Sequence, residues 1–175
     1  MTREEFIRVL EDIKGYSYEI EDAKIVITED GDVYLDSMDE DEELKTLPPG
    51  VVFMNKGIAW LTSLKKLPPG VGFMNGGDVD LDSLKTLPPG VVFRNEANVN
   101  LYSLKTLSHG VVFRNGDDVN LDSLEKIPLG VGFKNGGDVN LGQIFRVWLQ
   151  DWSGNIEGVD SKRLLNLMIS KGVFI

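Results

Sequence analysis

Residues 79–98 read VDLDSLKTLPPGVVFRNEAN, and versions of this stretch return along the chain every 20 residues. Three of its positions recur without drift in five consecutive copies. They are the glycines Gly50, Gly70, Gly90, Gly110 and Gly130, the phenylalanines Phe53, Phe73, Phe93, Phe113 and Phe133, and the asparagines Asn55, Asn75, Asn95, Asn115 and Asn135. A short unit that repeats without insertion stacks as identical coils, each burying its apolar edge against its neighbours. The period therefore predicts a mainly β fold, a parallel β-solenoid (β-helix) of 20-residue coils.

Within one copy, the alternation of side chains indicates which residues point into the coil. In the stretch 90–95, Val91, Phe93 and Asn95 share one face, and in the stretch 79–82 the two aspartates lie opposite the apolar residues. Because the side chains of a strand alternate between its two faces, the apolar set is the inward one. We expect the phenylalanines to stack into one ladder and the asparagines into another, whose amides pair with each other and with turn backbone.

The repeat begins before its first clear copy. The segment IVITE that starts at Ile25 aligns with VVFRN at 91–95, so a degenerate first coil starts there. Leu35 and Leu47 are 12 residues apart, whereas the matching leucines of a clear copy are 6 apart. Six residues are therefore inserted into the first coil, and they are the acidic run MDEDEE at 38–43.

Both ends of the chain have helical patterns. Thr2 with Glu5 three positions later indicates a capping box, and apolar residues follow at helical spacing as far as Ile13. Apolar stripes predict two further helices at 143–152 and 161–171. Such helices cover the open ends of a solenoid, and edges left exposed at incomplete caps would favour a homodimer. The predicted parts are an N-terminal helical cap (1–24), a solenoid with the acidic insert (25–141) and a C-terminal helical cap (142–175).

Composition narrows the class of protein. The chain has no cysteine, which excludes disulfides and thiolate zinc sites and favours an intracellular location. The sequence has neither the pattern of a signal peptide at its N-terminus nor an apolar run long enough for a membrane span. We therefore expect a cytoplasmic protein of the host cell that binds no membrane, no metal and no cofactor.

The net charge of −10 is distributed unevenly along the chain. Residues 1–43 contain 16 Asp and Glu against 4 Lys and Arg, whereas residues 44–175 contain 12 acidic against 14 basic residues. An acidic segment of this kind either faces a basic partner or keeps the chain soluble. The sequence alone leaves both interpretations open.

One stretch carries a resemblance to a known group of proteins. Residues 67–81 read LPPGVGFMNGGDVDL, and this resembles the tandem LPxGVxFxNxGDVxL repeats of uncharacterised proteins from bacteriophages and mobile elements. The resemblance covers residues 25–141. It implies a small acidic phage protein that binds and blocks a bacterial defence enzyme, as anti-CRISPR inhibitors do. No inhibitory motif is available to match, so this implication comes from the wording of the repeat alone.

The acidic insert and the outward residues near it are the sharpest candidates for partner binding. Carboxylates along a rigid edge imitate DNA phosphates and attract a channel lined with Lys and Arg, so we expect a DNA mimic that engages a basic host protein such as a CRISPR effector. For the two rings nearest the insert, packing beneath it is an equally supported interpretation. The predicted partner-binding residues are Asp36, Asp39, Glu40, Asp41, Glu42, Glu43, Tyr34, Trp60, Tyr102, Arg94 and Arg114.

Other functions compete with this one. Columns of outward lysines would suit a phosphate backbone, but aspartates occupy nearby columns, so direct nucleic-acid binding is disfavoured. A carbohydrate-binding or carbohydrate-cleaving β-helix would use outward residues such as Asp82, Asp122 and Lys134, although their spacing does not require catalysis. His109 takes the place of a corner proline, and we interpret it as a turn residue. We therefore expect no enzyme, with a plain structural spacer as the third interpretation.

Overall fold

The computed structural model describes residues 1–36, 44–128 and 130–142. These residues form a parallel β-solenoid, as the 20-residue period predicts. The N-terminus is helical: an α-helix, α1 (Arg3–Arg8), continues into π-helical turns at Val9–Lys14. The helices predicted at 143–152 and 161–171, and the acidic run 38–43, lie outside the described residues.

Short strands alternate with turns along the described chain. In chain order they are β1 (Tyr18–Glu21), β2 (Lys24–Ile27), β3 (Val33–Tyr34), β4 (Val51–Phe53), β5 (Ala59–Trp60), β6 (Gly72–Phe73), β7 (Val79–Asp80), β8 (Thr86–Leu87), β9 (Val92–Phe93), β10 (Val99–Asn100), β11 (Thr106–Leu107), β12 (Val112–Phe113), β13 (Val119–Asn120), β14 (Gly132–Phe133) and β15 (Val139–Asn140). The first sheet has the order β1-β2-β4-β6-β9-β12-β14 and the second the order β15-β13-β10-β7-β5-β3. On a third side, β8 pairs with β11. β1 is antiparallel to β2, and the strands stacked from one coil to the next are parallel.

The register of the sheets follows the sequence period and locates the insert. On the third side, Thr46 bridges to Lys66, 20 residues on. In the first coil the step is longer, because Asp36 accepts a hydrogen bond from Thr62, 26 residues on. The six extra residues therefore fall between Asp36 and Thr46. Since β2 and β3 pair in register with β4 and β5, the structure confirms a degenerate first coil interrupted by the insert.

The core is a column of stacked phenylalanine rings enclosed by aliphatic side chains. From Phe53 to Phe133, the centroids of successive rings are 5.1 to 5.3 Å apart and the ring planes are inclined by 5 to 14°. None of these rings is more than 1% exposed. Strand spacing of about 4.8 Å imposes this ladder. Each contact between aromatic rings adds about 0.5–1.5 kcal/mol to the stabilisation from apolar burial.

The buried asparagine of each coil holds the turn between the first and second sheets. Asn95 is 1% exposed, and its Nδ2 donates to the carbonyl oxygens of Gly77, Ala97 and Asn98 at 3.2, 3.0 and 2.9 Å. The same arrangement recurs at the equivalent asparagines. Our expectation that these amides also pair with one another is wrong. Their donors are used by carbonyl oxygens of the turn and of the preceding coil. The Oδ1 atoms of Asn55, Asn75, Asn95 and Asn115 accept no hydrogen bond from the described residues.

The N-terminal cap follows the predicted pattern in its first turn and departs from it afterwards. The capping box is confirmed, because Thr2 Oγ1 accepts from the Glu5 amide and Glu5 Oε2 accepts from the Thr2 amide. Phe6 and Leu10 are fully buried in the cluster that includes the first coil, but Ile13 is 48% exposed. The wider i→i+5 turns at Val9–Lys14 break the α-helical periodicity, so the apolar stripe does not reach Ile13.

The two N-terminal sheet edges differ. β1 pairs with β2 along four residue positions and becomes the antiparallel edge strand of the first sheet. At the second sheet, the Tyr16 hydroxyl accepts a hydrogen bond at 2.9 Å from the backbone amide of Tyr34 in β3. At the second sheet, this contact occupies a backbone amide of β3 that would otherwise be free to pair with another strand.

Candidate protein-binding face

The outer surface of the second sheet concentrates carboxylates. Three columns of outward residues run along it, one through the centre of the strands and one at each flank. The first flank contains Asp32, Ile58, Asp78, Asn98, Asp118 and Asp138, the centre contains Tyr34, Trp60, Asp80, Asn100, Asn120 and Asn140, and the second flank contains Asp36, Thr62, Asp82, Tyr102, Asp122 and Gly142. These columns contain eight aspartates and no lysine or arginine. We call this surface the acidic face.

The first flank is tied to the backbone of the next coil. Asp32 Oδ1 accepts from the amide of Ile58 at 2.8 Å, and Asp78 Oδ1 accepts from the amide of Asn98 at 2.9 Å. Each side chain therefore bridges one rung of the ladder, which explains why Asp and Asn dominate this column. Oδ1 of each of these two carboxylates bonds to the next coil, and the charge remains at the surface.

Two aromatic rings begin the central column. The ring centroids of Tyr34 and Trp60 are 6.1 Å apart with planes inclined by 37°. Tyr34 is 48% exposed and Trp60 is 38% exposed. The hydroxyl of Tyr34 donates to Asp32 Oδ2 at 2.9 Å, and this hydrogen bond is the main cause that raises the pKa of Tyr34. The sheet therefore offers a fixed pair of rings to solvent at the N-terminal end of the acidic face.

Polar side chains continue the central column beyond the rings. Asp80 pairs in register with Trp60 on one side and with Asn100 on the other. Asn100 Nδ2 donates to Asp80 Oδ1, and Asn120 Nδ2 donates to Asn100 Oδ1 at 2.7 Å. The amide ladder that we predicted for the interior is thus found on the outer surface. Asp80 points outward as predicted, yet it is only 8% exposed because its column neighbours cover it.

The second flank combines carboxylates with a third ring. Both oxygens of Asp36 are used by the next coil, since Oδ2 accepts from the Thr62 hydroxyl and Oδ1 from the Ser63 amide, each at 2.9 Å. Tyr102 is 42% exposed, and burial followed by the charges of Asp82 and Asp122 raises its pKa. This flank is therefore negatively charged along its length and carries an exposed ring near its middle.

Carboxylates of the centre and the second flank disfavour each other's charged form. Burial raises the pKa of Asp80, Asp78 and Asp36 add to this effect, and the hydrogen bond from Asn100 opposes it. Burial likewise raises the pKa of Asp82, with further repulsion from Asp80 and Asp36. Like charges held together with no cation beside them favour the approach of a cationic group. The electrostatics of the acidic face therefore suit a basic partner.

Basic residues lie on the other two sides of the coil. Arg94, Arg114 and Lys134 follow the strands of the first sheet and are exposed. A second basic column runs along the third side and consists of Lys45, Lys65, Lys85 and Lys105. Of the two ion pairs among the described residues, neither includes a residue of the acidic face. The aspartates of the acidic face are thus separated in space from the basic columns on the other two sides.

The structure brings together part of the predicted partner-binding set. Tyr34, Trp60, Asp36 and Tyr102 lie on the acidic face, whereas the two predicted arginines project from the first sheet instead. Their role in partner binding stays a prediction. The other predicted residues lie outside the described ranges: Asp39, Glu40, Asp41, Glu42 and Glu43. The alternative that the rings pack beneath the insert depends on the same run, so it also stays a prediction.

Sequence reasoning missed the aspartates of the solenoid itself as site residues. Alternation correctly placed Asp80 and Asp82 outward, but we interpreted the nearby lysines as sharing their surface. The corner between Leu81 and Leu84 places Asp82 on the acidic face and Lys85 on the third side. The repeat did contain a signal for this separation. Each corner turns the chain onto another side of the coil, so residues before and after a corner face different directions.

Lys134 lies apart from the two aspartates that were considered with it for carbohydrate chemistry. Lys134 follows β14 of the first sheet and does not share a face with Asp82 and Asp122. Among the described residues, no group of three or more His, Cys, Asp and Glu side chains is arranged to hold a metal ion. In the same ranges, no helix has the length and apolarity that crossing a membrane requires.

The chain matches no known family model, no curated protein and no solved structure. Tandem repetition is shown by the stacked strands and the aligned phenylalanine and asparagine ladders. The connection to phage proteins stays a resemblance in the wording of the repeat.

Proposed function

We propose that this protein is a non-enzymatic inhibitor that binds a basic, nucleic-acid-handling host protein through its acidic N-terminal region and acidic face. The resemblance to phage repeat proteins suggests a defence enzyme such as a CRISPR effector as that partner. In this proposal the carboxylates occupy the partner's Lys- and Arg-lined channel in place of nucleic acid. The observation that carries the proposal is the segregation of eight aspartates, without any base, on one side of the solenoid.

The spacing of the coils supports an electrostatic mechanism. Successive rungs are about 4.8 Å apart, which is shorter than the Debye length of about 8 Å at physiological ionic strength. Fields from neighbouring aspartates therefore add before salt screens them, and a rigid array attracts a basic channel more effectively than a flexible chain. The acidic run 38–43 begins two residues after Asp36 of the second flank and adds five carboxylates to the sequence at this point.

A capture experiment with matched variants tests this function. The tagged protein is incubated with nuclease-treated bacterial lysate that contains a reconstituted CRISPR effector, at low and at high salt, and bound proteins are quantified by mass spectrometry. A first variant replaces residues 39–43 with Ser and Gly. A second variant carries Asp80→Asn, Asp82→Asn and Asp122→Asn, which preserve side-chain shape. We expect the effector to be enriched at low salt, to be released by high salt, and to be depleted from both variants.

Two results would contradict the proposal. Full capture by both variants would show that the acidic residues do not recognise the partner. Absence of the effector and of other nucleic-acid-binding proteins at both salt concentrations would remove the inhibitor function itself.

A second candidate function is favoured by the exposed rings. Tyr34, Trp60 and Tyr102 stand on a regular sheet surface beside asparagine and aspartate side chains, and aromatic stacking with polar neighbours also suits a carbohydrate. Carbohydrate binding by neutral stacking would be insensitive to salt. Titration with neutral oligosaccharides at low and high salt therefore separates this function from the first.

A further inference from the structure

The centre of the acidic face contains a cluster that is more specific than a charged surface. Trp60 lies between Tyr34 and Asp80 in its column, because it pairs in register with both. Asp36 and Asp82 stand on the adjacent flank, where the charge of Asp36 contributes to raising the pKa of both Asp80 and Asp82. The later rungs place asparagine at the position of the rings. The aromatic and carboxylate cluster is therefore confined to the N-terminal half of the face.

Two carboxylates of this cluster have acceptor capacity that the fold does not use. Asp80 is 8% exposed and accepts one hydrogen bond, from Asn100, among the described residues. Oδ1 of Asp82 is buried and accepts none from them. A carboxylate offers about four lone-pair positions, and leaving them unsatisfied away from water is unfavourable. A donor that arrives from outside reaches the exposed part of Asp80 directly, whereas it reaches the buried Oδ1 of Asp82 only when this partly exposed side chain turns outward.

The indole ring of Trp60 beside these oxygens favours a particular chemical class of donor. Tryptophan is the best aromatic partner for a cation, with contacts worth about 0.5–2 kcal/mol. A guanidinium is planar, weakly hydrated and able to stack on a ring while its edge donates to carboxylates, whereas the lysine ammonium is compact and strongly hydrated. The next rung is about 4.8 Å away, which is within reach of the guanidinium fork when the group lies on the indole.

We propose that Trp60, Tyr34, Asp80 and Asp82 form a binding subsite for an arginine side chain of a partner protein. This inference rests on the proposed function and adds the chemistry of the recognised group. The guanidinium stacks on Trp60 and donates to the carboxylates of Asp80 and Asp82. Arginine rather than lysine is then the residue that anchors the partner at this end of the acidic face.

Titration of the intact protein with two peptides tests the subsite. The probes are hexaarginine and hexalysine, which carry equal charge. Calorimetric titration measures their affinities for the native protein and for every variant, and the shift of the Trp60 indole N–H resonance locates binding in the native protein. Trp60→Asn identifies this resonance and introduces the residue that later rungs carry in the same column. We expect hexaarginine to bind about five to ten times more tightly than hexalysine, because the cation–π contact is added to a shared electrostatic attraction.

Variants distinguish binding at the subsite from general electrostatic attraction to the acidic face. Trp60→Asn should abolish the preference for arginine, and Trp60→Phe, which retains a smaller ring, should keep part of it. Asp80→Asn should weaken hexaarginine binding more than Asp138→Asn, although each removes one charge from the same face. Thermal unfolding of every variant verifies that it is folded.

Three results would overturn the inference. They are equal affinity for the two peptides, a preference that survives Trp60→Asn, and equal effects of Asp80→Asn and Asp138→Asn. With salt-dependent binding of both peptides retained, the proposed function survives these results. If neither peptide binds at low salt, the proposed function fails together with the subsite.

Discussion

The interior and the acidic face of this solenoid follow the same 20-residue period but use it differently. Inside, the phenylalanine column is unchanged over five rungs, and so is the asparagine column beside it. On the acidic face, the central column changes from Tyr and Trp to Asp and then to Asn. Identical neighbours are required where rings stack and amides hold turns. Outside, the register imposes only a spacing, so the residue at each rung is free to serve another purpose.

This contrast indicates which positions of a repeat protein are candidates for a functional role. A residue that occurs in every coil is explained by stacking, whereas a residue that departs from its column requires another explanation. Trp60 and Asp80 are departures of this kind, and Asn95 is not. Within one column, the residue at one rung is also a suitable replacement at another rung, because both positions have the same backbone geometry. The following predictions use such pairs.

The largest expected effect comes from truncating asparagine inside and outside the coil. Asn95→Ala removes three hydrogen bonds to backbone carbonyl oxygens, each worth about 0.5–1.5 kcal/mol. Each of these oxygens keeps one other donor, from Asn75, Asn115 or the Val79 amide. Asn100→Ala makes the same chemical change in the outer ladder, where water replaces the lost partner, and should cost about 1 kcal/mol or less. Unfolding by urea, monitored by circular dichroism, measures both values. Equal losses would show that the buried asparagine has no special structural role.

A smaller effect is expected along the phenylalanine column. Phe93 is stacked on both sides, at 5.2 and 5.1 Å, whereas Phe53 has a ring on one side and faces the coil of Ile27 on the other. Phe93→Ile removes two ring contacts and Phe53→Ile removes one. The central replacement should therefore destabilise more, by about one aromatic contact or 0.5–1.5 kcal/mol. The same unfolding experiment decides this, and a larger loss at Phe53 would contradict a column held by stacking.

The sequence predicted the interior well because interior rules are local and repetitive. Strict recurrence of Phe93 and Asn95 equivalents gave the coil length, the parallel register and the inward set. Alignment of Ile25 with the later copies also gave the first coil and the position of the insert, which the 26-residue step at Asp36 confirms. These features depend on period and alternation, and both are visible in the order of residues.

The distribution of charge was harder to predict from the sequence, because it depends on where the chain turns from one side of the coil to the next. Asp82 and Lys85 are three residues apart in sequence, and only the corner between them shows that they face different directions. Net charge over long segments concealed the same fact, since aspartates and lysines of the solenoid nearly cancel. The wider turns at Val9–Lys14 were likewise invisible to an α-helical template. Such features are visible in the three-dimensional structure and not in the sequence pattern.

A pH-dependent effect is expected from the acidic face itself. The folded protein holds the pKa of Asp80 above its ordinary value of 3.8, chiefly through burial. A raised carboxyl pKa means that the folded state binds the proton more tightly than the unfolded chain does, so stability is lost as pH rises through the interval above 3.8. Asp80→Asn removes this penalty and still accepts a hydrogen bond from Asn100. The variant should therefore gain stability relative to the native protein at neutral pH, and the gain should vanish in acid.

Thermal unfolding of both proteins near pH 3 and near pH 7 measures this difference. Asp138→Asn is the control, because Asp138 is exposed and lacks the cover of ring and amide neighbours. A gain that is the same at both pH values would assign the effect to packing rather than to the buried charge.

The smallest effect is expected on the first sheet. Arg94→Met places at Arg94 the residue that Met54 and Met74 already provide in the same exposed column, and substitutions at such positions change stability by about 0.5 kcal/mol or less. Because Arg94 does not lie on the acidic face, hexaarginine binding should also stay within about twofold of the native value, given that screening weakens distant charges. Calorimetric titration beside the unfolding measurement tests both statements. A marked loss of affinity would mean that the basic side of the solenoid takes part in recognition, and the division between a recognising face and a supporting one would then have to be abandoned.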